Sequence, residues 1–276
     1  MSTSKHKILI GSDPEVFLRD KRSIVNAGGR FITRGTKEHP EKTAYGAIQI
    51  DGIAVELNTN PTDDPKEFAS LIKQGMDDVL IRAGNGILLS ERSAVRLSQT
   101  FMKTWGGRAC MQMGCDPDFN AWKDADQNMK PPASIPVRAA GGHIHIGWLK
   151  DSYDGEHMPD AMGVVKQMDY VLGLWSLRED AKGANRRKLY GMPGAFRLKP
   201  YGVEYRVLSN FWMFKEELAT EVHTRALRGA DAYLSGAVRF PDKYGDAACR
   251  LIAEGVFNNE AKMLLGEVDE ALGLAA

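Results

Sequence analysis

The sequence predicts an α+β protein in which helices pack against a curved antiparallel sheet. Segments that alternate between polar and apolar residues predict strands, and these are mixed with helical patterns without the regular alternation of a βαβ fold. From residue 216 onward the apolar spacing is helical almost throughout. We expect a single domain over residues 1–276, with a strand-rich part at about 8–215 and a helical part at about 216–276.

The N-terminal third of the chain predicts strands followed by one helix. The segment ILIGSDPEVFLRD predicts a strand interrupted at Gly-Ser-Asp-Pro, and GAIQIDGIAVELNTNP predicts two short strands around Gly52. The segment PKEFASLIKQGMDDVLIRAG has the apolar spacing of a helix. Asp63 and Asp64 suit the N-cap of this helix, and Pro65 suits its first turn.

Two later segments lack a regular pattern and predict loops. They are residues 101–137, rich in Gly, Pro, Met and Asp, and residues 183–200, rich in Gly and Arg. The strand in GGHIHIGW and the long helix DAMGVVKQMDYVLGLWSLRE lie between them, and the strand GVEYRVLSNFW follows the second. The remaining chain predicts helices in KEELATEVHTRAL, DAACRLIAEG and NNEAKMLLGEVDEAL.

The composition favours a globular enzyme over a nucleic-acid-binding or membrane protein. Lys plus Arg and Asp plus Glu both number 36, so no excess charge attracts the chain to nucleic acid or to a membrane surface. No apolar run approaches the roughly 20 residues that span a bilayer, and the N-terminus lacks a signal-peptide pattern. Three cysteines without framework spacing predict a cytoplasmic location, with Cys110 and Cys115 as buried thiols rather than metal ligands.

Four predicted strands carry polar side chains on one face and apolar side chains on the other. In GGHIHIGW, His143 and His145 alternate with two isoleucines, so both imidazoles share one face of a strand. SDPEVFL, GIAVELNTNP and GVEYRVL show the same alternation. If these strands are neighbours, one sheet face gathers six ionisable side chains, namely Glu15, Glu56, His143, His145, Glu204 and Arg206.

Converging carboxylates predict a metal site, because they repel one another and are costly to desolvate unless a cation neutralises them. The mainly oxygen donor set favours Mg²⁺ or Mn²⁺ over Zn²⁺. Asp13 adds a carboxylate two residues before Glu15, whereas Asp51 joins this face only if Gly52 introduces a bend or a bulge. Arg206 suits a phosphate or carboxylate of the substrate, which indicates phosphoryl or acyl-phosphate chemistry. The alternative is a solvated sheet face, where alternating polar residues are also normal.

The segment ANRRKLYGMPGAFRLKPYG predicts a phosphate-binding loop directly before Glu204. It carries five cationic side chains, namely Arg186, Arg187, Lys188, Arg197 and Lys199. Gly191 and Gly194 would let the backbone approach a ligand closely. The alternative is a solvated charged loop. The sequence has neither a Walker motif nor GxGxxG, so it supports neither a P-loop NTPase nor a Rossmann enzyme.

These motifs together resemble those of a known family. GSDPEVFL, DGIAVELNTNP, GGHIHIGW and YGMPGAFRLKPYGVEYRVLSNFW resemble, in this order, the phage-encoded carboxylate–amine (COOH-NH2) ligases of type 2. That family is a branch of the glutamine synthetase and glutamate–cysteine ligase superfamily, and the resemblance covers about residues 8–215. It implies a glutamine-synthetase-like catalytic domain that uses ATP and Mg²⁺ to join a small-molecule carboxylate to an amine through an acyl phosphate.

The resemblance also implies roles for single residues. Positions that resemble metal ligands are Glu15, with Asp13 beside it as a second candidate, Glu56, His143 and Glu204. His145 falls at a second histidine position near the ATP phosphates. Arg206 resembles an arginine that steadies the transferred phosphoryl group or the substrate carboxylate. The basic side chains analogous to phosphate-binding residues are Arg186, Arg187, Arg197 and Lys199.

The sequence departs from the glutamine synthetase pattern at two points. It shows no separate N-terminal sheet domain of the kind that completes a neighbouring subunit's site in glutamine synthetase. The resemblance is compatible with a homo-oligomer, but without that domain it does not imply active sites shared between subunits. Gly202 replaces the arginine that precedes the last glutamate by two residues, and Arg197 or Lys199 is the available substitute.

Two other functions stay open at this point. One is a metal-dependent hydrolase that uses the His143 and His145 pair, which zinc affinity would favour. The other is a non-catalytic phage protein that retains the fold and tolerates Glu204→Ala and Arg206→Ala. If the chain is phage-encoded, the predicted location is the host cytoplasm.

Overall fold

The polar strands belong to two antiparallel sheets rather than to one. In the computed structural model, β1 (Leu9–Ser12) forms an edge of the first sheet, and β2 (Glu15–Arg19) lies within the second. The chain passes between the sheets at Asp13 and Pro14, and a proline cannot donate to a strand ladder. The N–H of Leu57 in the second sheet donates to the Pro14 carbonyl at 3.0 Å. The single curved sheet of the prediction is thus two sheets joined at this crossing.

The structure describes residues 7–21, 23–25, 27, 35–36, 39–103, 118–128, 135–149, 156–187 and 189–274. Within these ranges, no helix is long and apolar enough to cross a membrane. The predictions for Cys110, Cys115 and Lys188 lie outside the described residues.

The second sheet contains the hairpin that the sequence predicts around Gly52. Besides β2 it has β3 (Ile24–Val25), β4 (Glu41–Thr43), β5 (Gly46–Asp51), β6 (Ala54–Thr59) and β7 (Leu88–Ser90). Its order is β3-β2-β6-β5-β4, and β7 also pairs with β2. Gly52 has φ 57° in the turn between β5 and β6, a conformation that glycine adopts without strain.

The first sheet is assembled from strands that are distant in sequence. The strands that follow β7 are β8 (Ala94–Arg96), β9 (Phe119–Asn120), β10 (Asp126–Gln127), β11 (Val137–Ala139), β12 (Ile144–Gly147), β13 (Ala195–Lys199) and β14 (Gly202–Tyr205). The first sheet has the order β1-β12-β14-β13-β9-β10, whereas β8 and β11 form a separate two-stranded ribbon. All of these ladders are antiparallel, which confirms that part of the predicted fold class.

The predicted helices are present, and three short helices accompany them. The helices are α1 (Pro65–Ala83), α2 (Gln99–Lys103), α3 (Met158–Met168), α4 (Leu174–Glu179), α5 (Ala184–Arg187), α6 (Glu216–Leu234), α7 (Phe240–Tyr244), α8 (Ala247–Glu254) and α9 (Asn259–Ala271). The sequence predicts α1, α6, α8 and α9 and, as one long helix, α3 with α4, whereas it does not predict α2, α5 and α7. Asp64 caps α1, since its side chain accepts from the N–H groups of Lys66 and Glu67. Helix α6 packs against β1 and β12, and α3 packs against β14. The opposite face of this sheet is left for polar side chains.

The long predicted helix carries a buried acid that supports the back of the first sheet. A π-helical stretch, Asp169–Gly173, joins α3 to α4. Asp169 accepts hydrogen bonds from Trp122 Nε1 at 2.6 Å and from Tyr205 Oη at 2.8 Å. Burial raises the pKa of Asp169 to about 7, although both hydrogen bonds lower it. Because Tyr205 follows Glu204 in β14, this contact fixes the strand from its apolar side.

The two predicted loops contain regular structure where they are described. The C-terminal end of α2 and strands β9 and β10 fall within residues 101–137, and α5 and β13 fall within residues 183–200. The strands in the first segment have two residues each, which is too short to show a period of two. Strand β13 alternates correctly in AFRLK, but the glycines and prolines around it favour a loop in a local prediction.

Candidate active site

Strand register places three of the predicted site residues in one row across the first sheet. His145 pairs with Gly11 on one side and with Glu204 on the other, and Glu204 also pairs with Arg197. Directly opposed residues of neighbouring strands share a face of the sheet. The preceding row, which contains the buried residue Ile10, faces the helices. The row with His145, Glu204 and Arg197 therefore lies on the polar face.

The paired glycines before the histidine strand allow the imidazole of His143 to turn toward Asp13. A Cβ at Gly141 would collide with the His143 ring, and a Cβ at Gly142 would collide with the carbonyl of Ser209. Asp13 Oδ1 lies 3.2 Å from His143 Nδ1 and 3.2 Å from Nε2 of the second histidine, His145. Both imidazoles thus converge on one carboxylate oxygen, which agrees with the prediction that they share one face of the strand.

Glu204 is fully buried and is surrounded by basic side chains. Lys199 Nζ is 2.8 Å from Glu204 Oε2, Arg197 Nη1 is 3.8 Å from Oε1, and Arg206 Nη1 donates to Oε1. Burial and the charge of Asp13 raise the pKa of Glu204, but Arg206 and the two histidines outweigh them and bring it to about 2. Glu204 therefore remains an anion over the whole working pH range.

Among the described residues, two groups of side chains could hold a metal ion, and those around Asp13 form the first cluster. Ligand atoms of Asp13, His145 and Glu204 all lie within 4.8 Å of one another. Although burial raises the pKa of Asp13, its interactions with His145 and His143 outweigh burial and hold that pKa well below its usual range. Burial, and then Arg206, lower the pKa of His143, which favours the neutral imidazole that metals bind.

The second cluster lies on the second sheet and consists of three carboxylates. Glu15 pairs with Glu56 across β2 and β6, and their ligand atoms lie within 4.8 Å of one another and of an Asp51 oxygen. The sequence predicts that Asp51 joins this face only if the chain bends at Gly52, and the turn there is present. Asp51 lies on the same face of β5 as Gln49, and Gln49 pairs with Glu56. Gln49 Nε2 also donates to Glu56 Oε1 at 2.8 Å.

The pKa values of Glu15 and Glu56 in the second cluster are raised, whereas that of Glu204 in the first cluster is lowered. Burial, followed by the charge of Asp51, raises the pKa of Glu15 to about 7. Burial and the charges of Asp13, Glu15 and Asp51 raise the pKa of Glu56 well above its usual value. Glu15 and Glu56 therefore retain protons more readily than ordinary glutamates, and a divalent cation between the carboxylates would remove the repulsion.

The predicted basic residues separate into different surroundings. Arg197 and Lys199 contact Glu204. Arg186 instead donates to the Val207 carbonyl at 2.9 Å, and its burial lowers its pKa to about 10. Arg187 donates to the carbonyls of Ser176 and Asp180 at 3.1 and 3.2 Å. The single phosphate clamp of the sequence prediction is not assembled, because the short helix α5 directs its two arginines toward backbone carbonyls.

Three contacts of the candidate site are missed by sequence reasoning, those made by Asp118, Tyr201 and Gln49. Asp118 Oδ1 is 2.7 Å from Arg206 Nε and 3.7 Å from Arg197 Nε. Tyr201 Oη is hydrogen-bonded to Nδ1 of a site histidine, His145. Asp118 precedes a two-residue strand and Tyr201 lies in a tight turn, so neither belongs to a periodic segment that would signal it.

A cavity of about 390 Å³ adjoins the first cluster. His145, Gly147 and Tyr201 line one side, and apolar groups such as Leu9, Pro61 and Leu149 line much of the rest. No acidic side chain is among its described lining residues. The cavity therefore suits an uncharged group that is attached to an anion held over the neighbouring row of the sheet.

Comparison with known proteins supports the family resemblance. Residues 132–234 match the sequence model of the family described as "Phage phiEco32-like COOH.NH2 ligase-type 2", which confirms the predicted resemblance. This range contains His143, His145, Glu204 and Arg206. The match supports a carboxylate–amine ligase. No functionally curated protein is significantly similar to the chain in sequence.

One similar solved structure is that of a bifunctional glutathione synthetase from Pasteurella multocida. The two chains are 11% identical, with a TM-score of 0.46, and the alignment covers 98% of this chain and 45% of the other. This TM-score is too low to support a conclusion about fold or function. The likeness to the catalytic domain of glutamine synthetase therefore stays a prediction, whereas the mixture of helices and antiparallel sheet is confirmed.

Proposed function

We propose that the protein is an ATP-dependent carboxylate–amine ligase that requires Mg²⁺ or Mn²⁺. One observation carries the proposal: an acidic, histidine-containing cluster and a three-carboxylate cluster lie side by side, next to Arg206 and Lys199. The family match covers the segment that supplies both histidines and the Glu204–Arg206 pair. Structural acids and arginines alone would more commonly form simple ion pairs, whereas here one cluster brings three carboxylates together, and the pKa values of two of them, Glu15 and Glu56, are raised.

The two clusters fit divalent cations by their donor chemistry. Asp13 Oδ1 and His145 Nε2 are buried without a well-aligned hydrogen bond among the described residues, as expected of atoms that coordinate a cation. Asp13, His145 and Glu204 would hold one cation, and Glu15, Asp51 and Glu56 would hold another. Such cations supply charge neutralisation for phosphate and carboxylate oxygens in phosphoryl transfer. The mainly oxygen donor set favours Mg²⁺ or Mn²⁺.

The reaction would proceed in two balanced steps. A carboxylate oxygen attacks the γ-phosphorus of ATP, which forms an acyl phosphate and releases ADP. An amine then attacks the acyl carbon, so that phosphate leaves and the nitrogen loses a proton as the amide forms. Arg197 and Lys199 would bind phosphate oxygens beside Glu204, and Arg206 would steady the transferred group. Arg186 would act at the second cluster, where the charge of Arg206 and then that of Arg186 lower the pKa of Glu15.

Trapping with hydroxylamine tests this function without knowledge of the natural amine. Hydroxylamine is a small nucleophile that converts acyl phosphates into stable hydroxamates. With a panel of carboxylates, ATP and Mg²⁺, we expect equal amounts of ADP and hydroxamate from at least one acid. ATP turnover that does not depend on any carboxylate would contradict the ligase assignment and indicate a hydrolase.

The pH dependence of stability tests the second cluster. The folded-state pKa of Glu15 is about 7, above the ordinary value of 4.5, so its protonated form favours the folded state. This contribution is fully present below about pH 4.5 and is lost as the pH rises through about 7. We expect the Tm of the metal-free protein to fall between about pH 5 and pH 8, and Mg²⁺ or Mn²⁺ to raise it most at the higher pH.

The control for this measurement is Glu56→Gln, which removes one of the interacting charges. Its Tm should depend less on pH and respond less to the cation. Asp169 also makes the Tm fall as the pH rises, because its pKa is raised to about 7. It lies outside both clusters, so a cation should not change its contribution. A Tm at about pH 8 that is insensitive to both cations would contradict the second metal site.

The cavity beside His145 is the proposed binding site for the base of ATP. Apart from Lys7 and His145, its described lining consists of apolar and neutral polar groups, and it adjoins the row that would hold the phosphates. Gly147 forms part of its wall, and a Cβ there would meet only Tyr201 and Leu9 atoms, at 3.5 Å or more. A methyl group at this position is therefore compatible with the fold but reduces the space in the cavity.

Gly147→Ala should weaken ATP binding roughly tenfold, because the added methyl group occupies the space of the base. Binding of inorganic tripolyphosphate, which has no base, should be unchanged in the same variant. Calorimetric titration measures both affinities in the presence of Mg²⁺. The matched control is Gly266→Ala in α9, where no atom lies within 4 Å of the added Cβ. Equal losses for ATP and tripolyphosphate would show that the cavity does not hold the base.

A further inference from the structure

Tyr201 occupies a fixed position at the end of the histidine strand. It lies in the turn between β13 and β14, and its carbonyl accepts from the N–H groups of Trp148 and Leu149 at 3.0 and 3.1 Å. Its ring passes over Gly147, where a Cβ would lie 3.5 Å from Tyr201 Cδ2. The absence of a side chain at Gly147 thus leaves room for the tyrosine ring beside the imidazole of His145.

The hydroxyl of Tyr201 contacts the nitrogen of His145 that faces away from the first cluster. Tyr201 Oη is hydrogen-bonded to Nδ1, and Nε2 is 3.2 Å from Asp13 Oδ1. A neutral imidazole carries a single proton, so one nitrogen donates while the other accepts or binds a cation. If Nε2 holds the proton, His145 presents an N–H group to Asp13. If Nδ1 holds the proton, Nε2 has a free lone pair that can bind a cation.

A phenol hydroxyl fits both protonation patterns, unlike the common partners of metal-binding histidines. Carboxylates and backbone carbonyls only accept, so they hold the proton permanently on the nitrogen next to them. With the proton on Nε2 facing Asp13, the Tyr201 hydroxyl donates to Nδ1. With a cation on Nε2, the proton is on Nδ1 and the Tyr201 oxygen accepts it.

We infer that Tyr201 is a positioning residue that keeps Nδ1 of His145 hydrogen-bonded whether Nε2 faces Asp13 or a divalent cation. This inference rests on the proposed metal site of Asp13, His145 and Glu204. A cation at Nε2 would leave the proton of the neutral imidazole on Nδ1, where the Tyr201 oxygen would accept it. Asp13 is released from the imidazole in the same event and becomes available as a cation ligand.

Tyr201→Phe tests the inference, because it removes the hydroxyl and retains the ring over Gly147. The affinity for Mn²⁺ alone, measured by calorimetry without nucleotide, should fall roughly 10-fold or more, as is usual when the hydrogen-bond partner of a metal-binding histidine is lost. The matched control is Tyr45→Phe, which removes a hydroxyl bonded to Asp78 at 2.8 Å on the α1 side of the second sheet. This control should bind Mn²⁺ as the wild type does.

The protonated nitrogen of His145 gives a readout that a merely structural role would not change. In nitrogen NMR of the histidine side chains, Mg²⁺ should move the His145 proton from Nε2 to Nδ1 in the wild type. The Tyr201→Phe variant should show a smaller conversion at the same Mg²⁺ concentration.

The outcomes separate the inference from the function on which it rests. A wild type that binds neither cation contradicts the metal site itself. A wild type that binds Mn²⁺, together with a Tyr201→Phe variant of equal affinity and equal proton transfer, overturns the role of Tyr201 alone.

Discussion

Glu204→Gln is expected to abolish ligase activity and cation binding at the first cluster. Glu204 is fully buried, and its carboxylate is in contact with Lys199 and Arg206. Glutamine keeps the size of the side chain but removes the charge, so these cationic groups repel one another and the divalent cation loses a ligand. We expect Mn²⁺ affinity to fall at least about 100-fold, with no measurable ADP formation in the presence of carboxylates.

The loss of a buried charge also affects stability, so folding must be measured alongside activity. Removing one member of a buried ion pair costs roughly 3 kcal/mol of unfolding free energy, which lowers Tm but leaves a folded population at room temperature. Circular dichroism verifies the fold, and Glu270→Gln at an exposed position of α9 is the matched control. A folded Glu204→Gln variant with normal Mn²⁺ affinity would contradict the assignment of this residue.

Arg206→Lys is expected to reduce the rate of phosphoryl transfer by roughly a thousandfold while leaving ATP affinity within about tenfold of the wild type. The guanidinium is held at two places, with Nε 2.7 Å from Asp118 Oδ1 and Nη1 in contact with Glu204. Lysine keeps the positive charge but cannot reproduce both contacts and still present a donor to the transferred group. Single-turnover formation of ADP measures this step separately from binding.

The control for Arg206 is Arg96→Lys, at an exposed position of β8. It should leave both the rate and the affinity unchanged. If Arg206→Lys instead loses ATP affinity and rate in equal proportion, Arg206 acts in nucleotide binding. If neither quantity changes, Arg206 has no role in the reaction.

Local periodicity predicted the site residues that lie in strands where polar and apolar residues alternate. His143 and His145 were correctly expected on one face, because alternation along a strand does not depend on the rest of the fold. Periodicity could not predict that Asp13 lies at the end of a first-sheet strand while Glu15 begins a second-sheet strand. The assignment of each strand to a sheet depends on pairing partners that are far away in sequence. Both residues nevertheless reach the site, because the chain crosses between the sheets there.

The remaining features of the site depend on tertiary contacts that leave little trace in the sequence. Asp118 and Tyr201 lie outside the alternating segments, and tertiary contacts bring them to Arg206 and His145. Arg186 and Arg187 look equivalent in the sequence, but adjacent positions on a helix project in different directions. Composition and charge counts therefore predicted a basic loop and could not predict which of its side chains reach Glu204.

Calorimetric titration of a non-hydrolysable ATP analogue, with and without Mg²⁺, tests the central claim most directly. If the protein is an ATP-dependent ligase, the analogue binds with Mg²⁺, binds weakly or not at all without it, and fails to bind Glu204→Gln under the same conditions. If the wild type binds no nucleotide in either condition, the ligase proposal is contradicted, whatever the resemblance of residues 132–234.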